Sequence, residues 1–472
     1  MSEKLYFLKS SNSAGFYDQL FRSAECELFY SDSVCLQMML RFEAVLAGVE
    51  AAEGVIPEPA ADAIIAKCRA DLFDATELRR QAALAGNLAI PLVKQLTALV
   101  AAEDKNAAGF VHWGATSQDV IDSGAVAQLS VALDLYDREL MRLANTLAAL
   151  ATLHSSTIIA ARTWMQQALP TSFGLIAAGW LDAVLRDRKR LREMRPRVLT
   201  LQFGGAVGSL AALGVKGPAI AKALAEGLNL ALPAVPWHSH RDRMAEAAAF
   251  FGISVGTLGK IARDISLHAQ TEVGELAEAE AAVRGGSSTM PQKNNPVTCA
   301  VVLAAAQRVP GLVSTMLSAM PQEYQRGLGG WQAEWEVFPE IVRLSCGALQ
   351  HLAEMMPGLQ VDAERMKANL EVSNGLVFAE AVSMELARRI GKSAAHELVQ
   401  AECKRAVAEK RHLKDVLAVD VKSRPELKGM DMGSLFDAKQ YLGSSDEFIA
   451  RVLQEHAELP AAPEDPLRTE DK

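Results

Sequence analysis

Several features that mark specialised classes of protein are scarce or absent in this sequence of 472 residues. The six cysteines form no CxxC pair, so neither a disulfide framework nor a zinc site is predicted. No segment approaches the roughly 18 to 20 uninterrupted apolar residues of a membrane-spanning helix. The first residues, MSEKLYFLKSSNS, lack the apolar core of a secretory signal. We therefore expect a cytoplasmic protein without a structural metal.

An excess of basic residues is also missing. The chain has 48 Lys and Arg against 57 Asp and Glu, which gives a formal net charge of −9. This balance disfavours nucleic-acid binding through overall charge. Hydrophobic residues make up 50% of the chain, enough for a sizeable core, and the length exceeds what one core usually organises. The composition predicts a large globular protein of two or three domains.

Long stretches rich in Ala, Leu, Glu and Arg, without sustained alternation of polar and apolar residues, predict a mostly helical chain. In the clearest stretch, which follows Thr116 and Ser117, apolar residues recur at spacings of three and four from Val126 to Leu150. Such a helix exceeds roughly 35 Å and must pack against other long helices. Further long helices are predicted over 168–195, from 241 to about 283, and from about 296 onward.

These helices predict an all-α fold of three helical domains around a central bundle of long helices. The predicted domains are an N-terminal helical domain (1–111), the central bundle (112–358) and a C-terminal helical domain (359–472). The last of these is expected to end in a disordered polar tail, ELPAAPEDPLRTEDK.

The most unusual segment, RGGSSTMPQKNNP over residues 284–296, places polar side chains between two apolar helices. Ser287 and Ser288 supply hydroxyls, Lys293 a cation and Asn295 a neutral amide. A lysine beside an amide suits negative charge that develops on a carboxylate, and a hydroxyl on a mobile loop suits proton exchange at the neighbouring carbon. An ordinary interhelix connector is the alternative, although connectors seldom combine these groups.

The stretch GSSTMPQKNNP resembles the GSSxMPxKxNP signature of the fumarase/aspartase superfamily, and the resemblance extends from about Met39 to about Asn374. It implies a fold of the fumarase/aspartase type and a homotetramer whose central helices form a shared bundle. It also implies active sites assembled from several subunits, and no cofactor.

A second segment, HWGATSQD over residues 112–119, resembles the HxGxTSxD region of the family, which contacts a substrate carboxylate. Thr116 and Ser117 stand at a predicted helix N-terminus, where N–H groups and hydroxyls attract anions, and His112 lies nearby. A simple helix cap by Thr116 or Ser117 explains part of the segment equally well. Both interpretations can hold together.

A third segment, ARTWMQQALP over residues 161–170, departs from the lyases of the superfamily, which carry a histidine after Arg-Thr as an acid. Trp164 stands there instead, and an indole cannot protonate a leaving amine or alkoxide near neutral pH. A tryptophan that merely packs is the alternative. The departure resembles the cycloisomerase branch, in which a carboxylate of 3-carboxy-cis,cis-muconate adds to a double bond of the same molecule. In reverse that carboxylate, with a pKa near about 4, leaves without protonation.

Three more segments resemble the same branch: QFGGAVGSLAALG over residues 202–214, PWHSHRD over 236–242 and EYQRGLGGWQAEW over 323–335. His238 and Arg241 are candidates to hold a carboxylate, and Arg326 is the candidate carboxylate clamp. The alternatives are a tight connector, a solvated helix start and a local ion pair between Arg326 and Glu323.

The resemblance implies lactonisation of 3-carboxy-cis,cis-muconate to 4-carboxymuconolactone in the protocatechuate branch of the β-ketoadipate pathway. In the predicted catalytic set, Lys293 and Asn295 stabilise an enolate and Ser287 exchanges the proton at carbon. The predicted substrate-binding residues are His112, Thr116, Ser117, Gln118, Arg162, Trp164, Gln166, His238, Arg241, Ser288, Met290 and Arg326.

The predicted partner is therefore a small tricarboxylate, with no metal, nucleic acid or membrane involved. Two alternatives remain open. One is a superfamily C–N or C–O lyase of the adenylosuccinate lyase type, which would need another acid in place of Trp164. The other is a non-catalytic helical assembly protein, which has no chemical need to retain Ser287, Lys293 and Asn295 together.

Overall fold

A computed structural model describes residues 15–279, 285–286, 289–290, 293–421 and 424–463. Its N-terminal helices are α1 (Asp18–Phe21), α2 (Ala24–Phe29), α3 (Asp32–Ala52), α4 (Glu58–Lys67), α5 (Ala75–Ala85) and α6 (Ala89–Ala101). The central helices are α7 (Ser117–Leu153), α8 (Phe173–Val198), α9 (Gly217–Leu228), α10 (Asp242–His268), α11 (Val297–Ser318) and α12 (Gly330–Met355).

The C-terminal helices are α13 (Ala363–Glu371), α14 (Ala379–Ile390), α15 (Lys392–Glu409), α16 (Leu413–Asp420), α17 (Met432–Leu435) and α18 (Ser445–Glu458). Short strands are β1 (Ile158–Thr163), β2 (Gln166–Ser172), β3 (Leu276–Ala277) and β4 (Gln360–Val361). Short 3₁₀ helices cover Ala70–Leu72, Ala107–Phe110, Ala211–Lys216, Met356–Gly358, Leu376–Phe378, Pro425–Leu427 and Ala438–Tyr441. The predicted all-α class is confirmed.

Helix α7 is the axis of the fold. It contains 37 residues and therefore rises about 55 Å from end to end. The predicted seam from Val126 to Leu147 is buried, and Leu150 is half-buried. The spacing of three and four residues keeps these side chains on one stripe, which buries them against neighbouring helices. The predicted long helix is confirmed.

Five long helices form the bundle. Helix α8 packs on α7, while α10 packs on α8, α11 and α12, and α12 also contacts α7. One continuous hydrophobic core runs from Cys26 to Ile449, and a separate smaller core extends from Val382 to Met430 in the C-terminal helices. The division into three domains stays a prediction. The predicted disordered tail begins too early, because Glu458 belongs to α18 and the carbonyl oxygen of Pro460 accepts hydrogen bonds from Arg188 and Arg192. Residues 464–472 of the tail lie outside the described residues.

Two predicted helix boundaries are wrong. Residues 168–172 belong to strand β2 instead of α8, since Pro170, which has no backbone N–H, suits an edge position of a hairpin. Helix α10 ends at His268 instead of near 283, and Gly274, at φ +62°, turns the chain into β3.

The β1–β2 hairpin was not anticipated from the sequence. Its strands pair antiparallel, and Thr163 faces Gln166 across a two-residue turn. Both turn residues, Trp164 at φ +51° and Met165 at φ +64°, have left-handed backbone, as a type I′ turn requires. The turn leaves Trp164 99% exposed and Met165 70% exposed within the chain.

Two bundle helices, α10 and α11, are long and apolar enough to cross a membrane by length and composition alone. In α10, 61% of the most apolar stretch of the helix is buried inside the chain. In α11, the buried share of the corresponding stretch is 33%. A core helix of a large protein has the same composition, because it is covered by other helices. Helix α11 therefore keeps much of its apolar surface uncovered within one chain.

The long helices define two ends of the bundle. We call the end at which α7 begins the Thr116 end, and the end that carries the β1–β2 hairpin the hairpin end. Helix α8 follows β2 directly and returns to the Thr116 end, where Thr200 bridges to Ala231. Helix α10 runs from the Thr116 end to His268 at the hairpin end, and α11 runs back again.

Candidate active site

A fully buried carboxylate, Asp119, organises the Thr116 end. Its Oδ2 accepts hydrogen bonds from the backbone N–H of Thr116 at 3.0 Å and of Gly205 at 2.9 Å. Its Oδ1 accepts from the N–H of Gly204 at 3.0 Å and lies 2.9 Å from Nε2 of His238. These bonds fasten the start of α7 to the glycine-rich loop and to His238.

The glycines of that loop permit close packing of one segment of the chain against another. A Cβ on Gly204 would lie 2.7 Å from the Pro236 ring and 2.8 Å from Cε1 of His238. A Cβ on Gly205, whose φ is +65°, would lie 2.8 Å from the carbonyl oxygen of Gly114. The loop therefore tolerates only glycine at these two positions.

Arg326 reaches the Thr116 end from the loop between α11 and α12. Its Nη1 donates to Oγ1 of Thr116 at 3.1 Å, and its Nη2 donates to the carbonyl oxygen of Ala206 at 3.0 Å. Glu323, the alternative partner, instead accepts a hydrogen bond from the N–H of Leu328 at 2.9 Å. A guanidinium, a hydroxyl and a helix N-terminus thus meet at one place, a combination that suits a carboxylate ligand.

His112 adds a second cationic group to this end. Its Nδ1 lies 2.6 Å from Oε1 of Glu43, whose side chain is 1% exposed. Burial by itself lowers the pKa of His112, but the adjacent Glu43 carboxylate, with a smaller contribution from Asp119, more than offsets it. The pKa of His112 therefore lies above its usual value, which favours the imidazolium form.

Two more residues that were predicted to bind substrate, His238 and Gln118, are buried at the Thr116 end. His238 is 4% exposed and is held by Asp119, as described above. Gln118 is fully buried, and its Nε2 donates to Oδ2 of Asp122 at 3.1 Å and to the carbonyl oxygen of His238 at 2.8 Å. Ser117, the first residue of α7, is half-buried.

Arg241 already holds two carboxylates of its own chain. Its Nη1 donates to Asp122 at 2.6 Å and its Nε donates to Glu334 at 2.9 Å, while its side chain is only 2% exposed. Burial opposes the charge on Arg241, but the two carboxylates prevail and raise its pKa. Burial raises the pKa of Glu334. The predicted contact between Arg241 and substrate stays a prediction.

At the hairpin end, Arg162 forms a two-pronged ion pair with Glu275. Its Nη1 and Nη2 donate to the two carboxylate oxygens at 2.8 and 2.7 Å. Nδ1 of His268 lies 2.6 Å from the same carboxylate, and Asn369 donates to it at 2.7 Å. Burial alone raises the pKa of Glu275, but these hydrogen bonds bring it down to about 2. The ionised carboxylate therefore fixes the Arg162 fork.

Trp164 and Gln166 lie at the tip of the same hairpin, and both are exposed within the chain. Gln166 lines a groove of about 570 Å³ between β2 and the segment that follows α13. Val372 and Glu380 form part of the opposite wall.

The polar loop of residues 284–296 is described in part. Ser287 and Ser288 lie outside the described residues, and Met290 is 43% exposed. Asn295 Nδ2 donates to the carbonyl oxygen of Gly285 at 3.0 Å. The Lys293 side chain is exposed and forms no ion pair or hydrogen bond within the part of the chain that the structure describes.

Lys293 and Asn295 lie shortly before helix α11, whose first turn is capped by a buried carboxylate. Glu278 accepts hydrogen bonds from the N–H groups of Thr298 at 3.1 Å and Cys299 at 2.9 Å. This cap fixes the position of the helix start, which Lys293 and Asn295 precede by four and two residues.

One chain does not bring the predicted residues together. His112, Thr116, Ser117, Gln118, His238, Arg241 and Arg326 lie at the Thr116 end, whereas Arg162, Trp164, Gln166, Lys293 and Asn295 lie at the hairpin end. Helix α10, with 27 residues, separates the two ends by about 40 Å. A small molecule cannot contact both sets in one chain.

Sequence reasoning missed the carboxylates that hold the predicted cations. They are Glu43, Asp122, Glu275 and Glu334. Glu43 could have been identified from the sequence, because Leu40, Glu43 and Ala47 follow a helical spacing of three and four on the buried face of α3. A carboxylate on an apolar stripe requires a partner.

Comparisons with known proteins identify relatives over nearly the whole chain. A family model described as Lyase matches residues 22–311, and one described as Adenylosuccinate lyase C-terminus matches residues 375–452. The 3-carboxy-cis,cis-muconate cycloisomerase of Pseudomonas aeruginosa is 52% identical over 447 residues, 95% of this chain and 97% of that protein. The enzyme of that name from Bradyrhizobium diazoefficiens is 49% identical, over 91% of this chain and 96% of its own.

A solved structure is similarly close. The crystal structure of the 3-carboxy-cis,cis-muconate lactonizing enzyme from Pseudomonas putida matches with a TM-score of 0.89 at 48% sequence identity. The match covers 94% of this chain and 99% of that one. The likeness therefore extends over nearly the whole chain.

Proposed function

We propose that this chain, which belongs to the fumarase/aspartase superfamily of lyases, converts 3-carboxy-cis,cis-muconate to 4-carboxymuconolactone. The observation that carries the proposal is the match, nearly full length in both chains, to cycloisomerases of that name. Trp164 supports the same branch, because this exposed indole stands where lyases of the superfamily have an acid.

The reaction needs neither a leaving-group acid nor a co-reactant. A substrate carboxylate attacks a double bond of the same molecule and forms the ring C–O bond. The π electrons of that double bond move onto the carboxylate conjugated with it, which gives an enolate. One proton then adds to the carbon next to that carboxylate. Substrate and product are isomers, so atoms and electrons balance. The enzyme has to hold the anions, stabilise the enolate and deliver the proton.

The hairpin end supplies the groups for charge and proton. Lys293 offers an ammonium without a partner in the described part of the chain, and it stabilises the enolate together with Asn295. Ser287 delivers the proton to carbon. Arg162, Trp164, Gln166 and Met290 line the same part of the site, and Ser288 binds substrate.

The Thr116 end binds the remaining carboxylates. His112, Thr116, Ser117 and Arg326 provide two cationic side chains, two hydroxyls and a helix N-terminus. This local positive potential is needed because both the substrate and the protein, at a net charge of −9, are anionic. Gln118, His238 and Arg241 hold this end in shape through Asp119 and Asp122.

Each active site is assembled from the Thr116 end of one copy and the hairpin end of others, in a cytoplasmic homotetramer. The distance of about 40 Å between the two ends supports this assembly. The exposed Trp164 and Met165 and the uncovered side of α11 give further support, because large apolar surfaces in water mark contacts with other chains.

Following the ultraviolet absorbance of 3-carboxy-cis,cis-muconate tests the reaction directly. The wild-type protein should remove the diene absorbance, because ring closure consumes one of the conjugated double bonds. Ser287→Ala should slow this loss by about 10²-fold or more, since it removes the proton donor. Ser288→Ala, the neighbouring hydroxyl, should retain far more activity. Release of fumarate from a succinylated amine, with no change in the diene, would instead establish the lyase alternative.

Mixing two inactive variants tests the shared site. Lys293→Met damages the hairpin end and Arg326→Met damages the Thr116 end, so co-expression should yield mixed assemblies in which some sites have both ends intact. The mixture should therefore recover activity that neither variant has alone, as measured by diene loss. Lys293→Met mixed with Asn295→Ala, both at the hairpin end, is the control without recovery. Absence of recovery in both mixtures would place the whole site within one chain.

A further inference from the structure

The contact between Glu43 and His112 joins two distant parts of the chain at the Thr116 end. Glu43 lies on α3, 69 residues before His112, and its Oε1 is 2.6 Å from Nδ1 of the imidazole. The carboxylate is almost completely buried, at 1% exposure. A buried carboxylate of this kind requires a specific partner, and His112 is that partner.

The backbone of His112 is held in an uncommon conformation. Its φ is +59°, in the left-handed region that residues with a side chain seldom adopt. Gly114, two residues later, has φ +69° and packs against the Leu213 side chain. Strain of this type persists only where surrounding contacts impose it, and it concentrates at functional sites.

We propose that Glu43 is a positioning residue, which holds His112 by Nδ1 and keeps it as an imidazolium ion whose Nε2 faces a substrate carboxylate. The inference rests on the proposed function, because it gives Glu43 a role in binding the muconate. The imidazole is 15% exposed, and Nε2 forms no hydrogen bond within the described part of the chain. Fixing one ring nitrogen with a carboxylate orients the other toward its ligand.

The charges around the pair favour this assignment. Glu43 on α3 and Asp119 on α7 act on His112, and both favour its protonated form. Glu50 lies seven residues after Glu43 on α3 and interacts electrostatically with it. Burial, followed by the Glu43 charge, raises the pKa of Glu50 to about 8. Below that pH Glu50 is mostly neutral, so the charges that compensate His112 are those of Glu43 and, to a smaller extent, Asp119.

Glu43→Gln tests the role, because glutamine keeps the size and an acceptor oxygen but removes the charge. The KM for the muconate should rise at least about tenfold at pH 7, as expected for one lost charge-assisted hydrogen bond, while kcat changes little. His112 binds anions below its pKa and loses that ability as the pH rises through it. In Glu43→Gln the rise of KM with pH should therefore begin at lower pH.

Nuclear magnetic resonance of ¹³C-labelled histidine provides a readout independent of activity. The His112 signal, identified by its loss in His112→Asn, should titrate at lower pH in Glu43→Gln than in wild type. In wild type, adding tricarballylate as a tricarboxylate probe should move the titration to higher pH. Glu50→Gln is the matched control on the same helix. Below pH 8 it should leave KM unchanged, because it replaces a protonated, uncharged carboxyl group with an uncharged amide.

The possible failures are distinguishable. If wild type removes no muconate, the proposed function is wrong, yet the His112 titration still reports whether Glu43 sets its charge. If wild type is active but KM and the His112 titration are the same in Glu43→Gln, the role of Glu43 is wrong. Should Glu43→Gln fail to fold, a His112 signal in wild type that does not respond to tricarballylate would overturn the inference.

Discussion

Replacing Lys293 with methionine is expected to lower kcat for lactonisation by about 10²- to 10³-fold, with a smaller change in KM. The Lys293 side chain is exposed and forms no ion pair or hydrogen bond with the described residues, and we propose that its charge stabilises the enolate. An enolate forms only beyond the ground state, so this role affects kcat more than KM. Steady-state kinetics on the diene absorbance separate kcat from KM.

Two further variants define what this result means. Lys293→Arg keeps a positive charge in a larger planar group and should retain more activity than Lys293→Met. Lys222→Met removes an exposed lysine from α9 and should leave both constants unchanged. A Lys293→Met enzyme with normal kcat and a raised KM would show that Lys293 binds the ground state and does not stabilise the enolate.

The parts of the fold that were predictable depend on local periodicity. The seam of α7 could be identified because its buried residues repeat every three or four positions, a pattern that one helix imposes regardless of its neighbours. The start of α7 could be identified because Thr116 and Asp119 are typical of a helix N-terminus. Both signals lie within a few residues of the feature that they predict.

The hairpin was missed because its turn lacks the usual residues. Type I′ turns favour Asn and Gly, which reach positive φ easily, whereas Trp164 and Met165 do so at a cost. A two-residue turn of bulky side chains gives no local signal. The cost is consistent with a functional reason for presenting the indole at the tip.

The ion pairs of the site were unpredictable for another reason. Arg162 and Glu275 are 113 residues apart, and Arg241 and Asp122 are 119 apart. Such pairs depend on how long helices return to the same end of the bundle, which local patterns do not specify. The sequence therefore predicted side chains whose positive charge could bind substrate, but it did not predict that Arg241 forms ion pairs with Asp122 and Glu334.

Replacing Arg241 with methionine should destabilise the protein by about 3–5 kcal/mol, the usual cost of removing one partner from a buried ion pair. The change leaves Asp122 and Glu334 buried without compensation. The loss should grow with pH. Burial already raises the pKa of Glu334, so without Arg241 the Glu334 carboxylate binds a proton in the folded state that it releases on unfolding. Urea unfolding at pH 6 and pH 8 measures both the loss and its slope.

Arg263→Met is the matched control, the same substitution at an exposed position of α10, and should change stability by less than about 0.5 kcal/mol. If Arg241→Met does not fold, adding Asp122→Asn and Glu334→Gln should restore folding, because the stranded charges are then removed together with their partner. Equal stability of Arg241→Met and Arg263→Met at both pH values would show that Asp122 and Glu334 do not need Arg241. That result would favour the prediction from the PWHSHRD segment that Arg241 holds a substrate carboxylate.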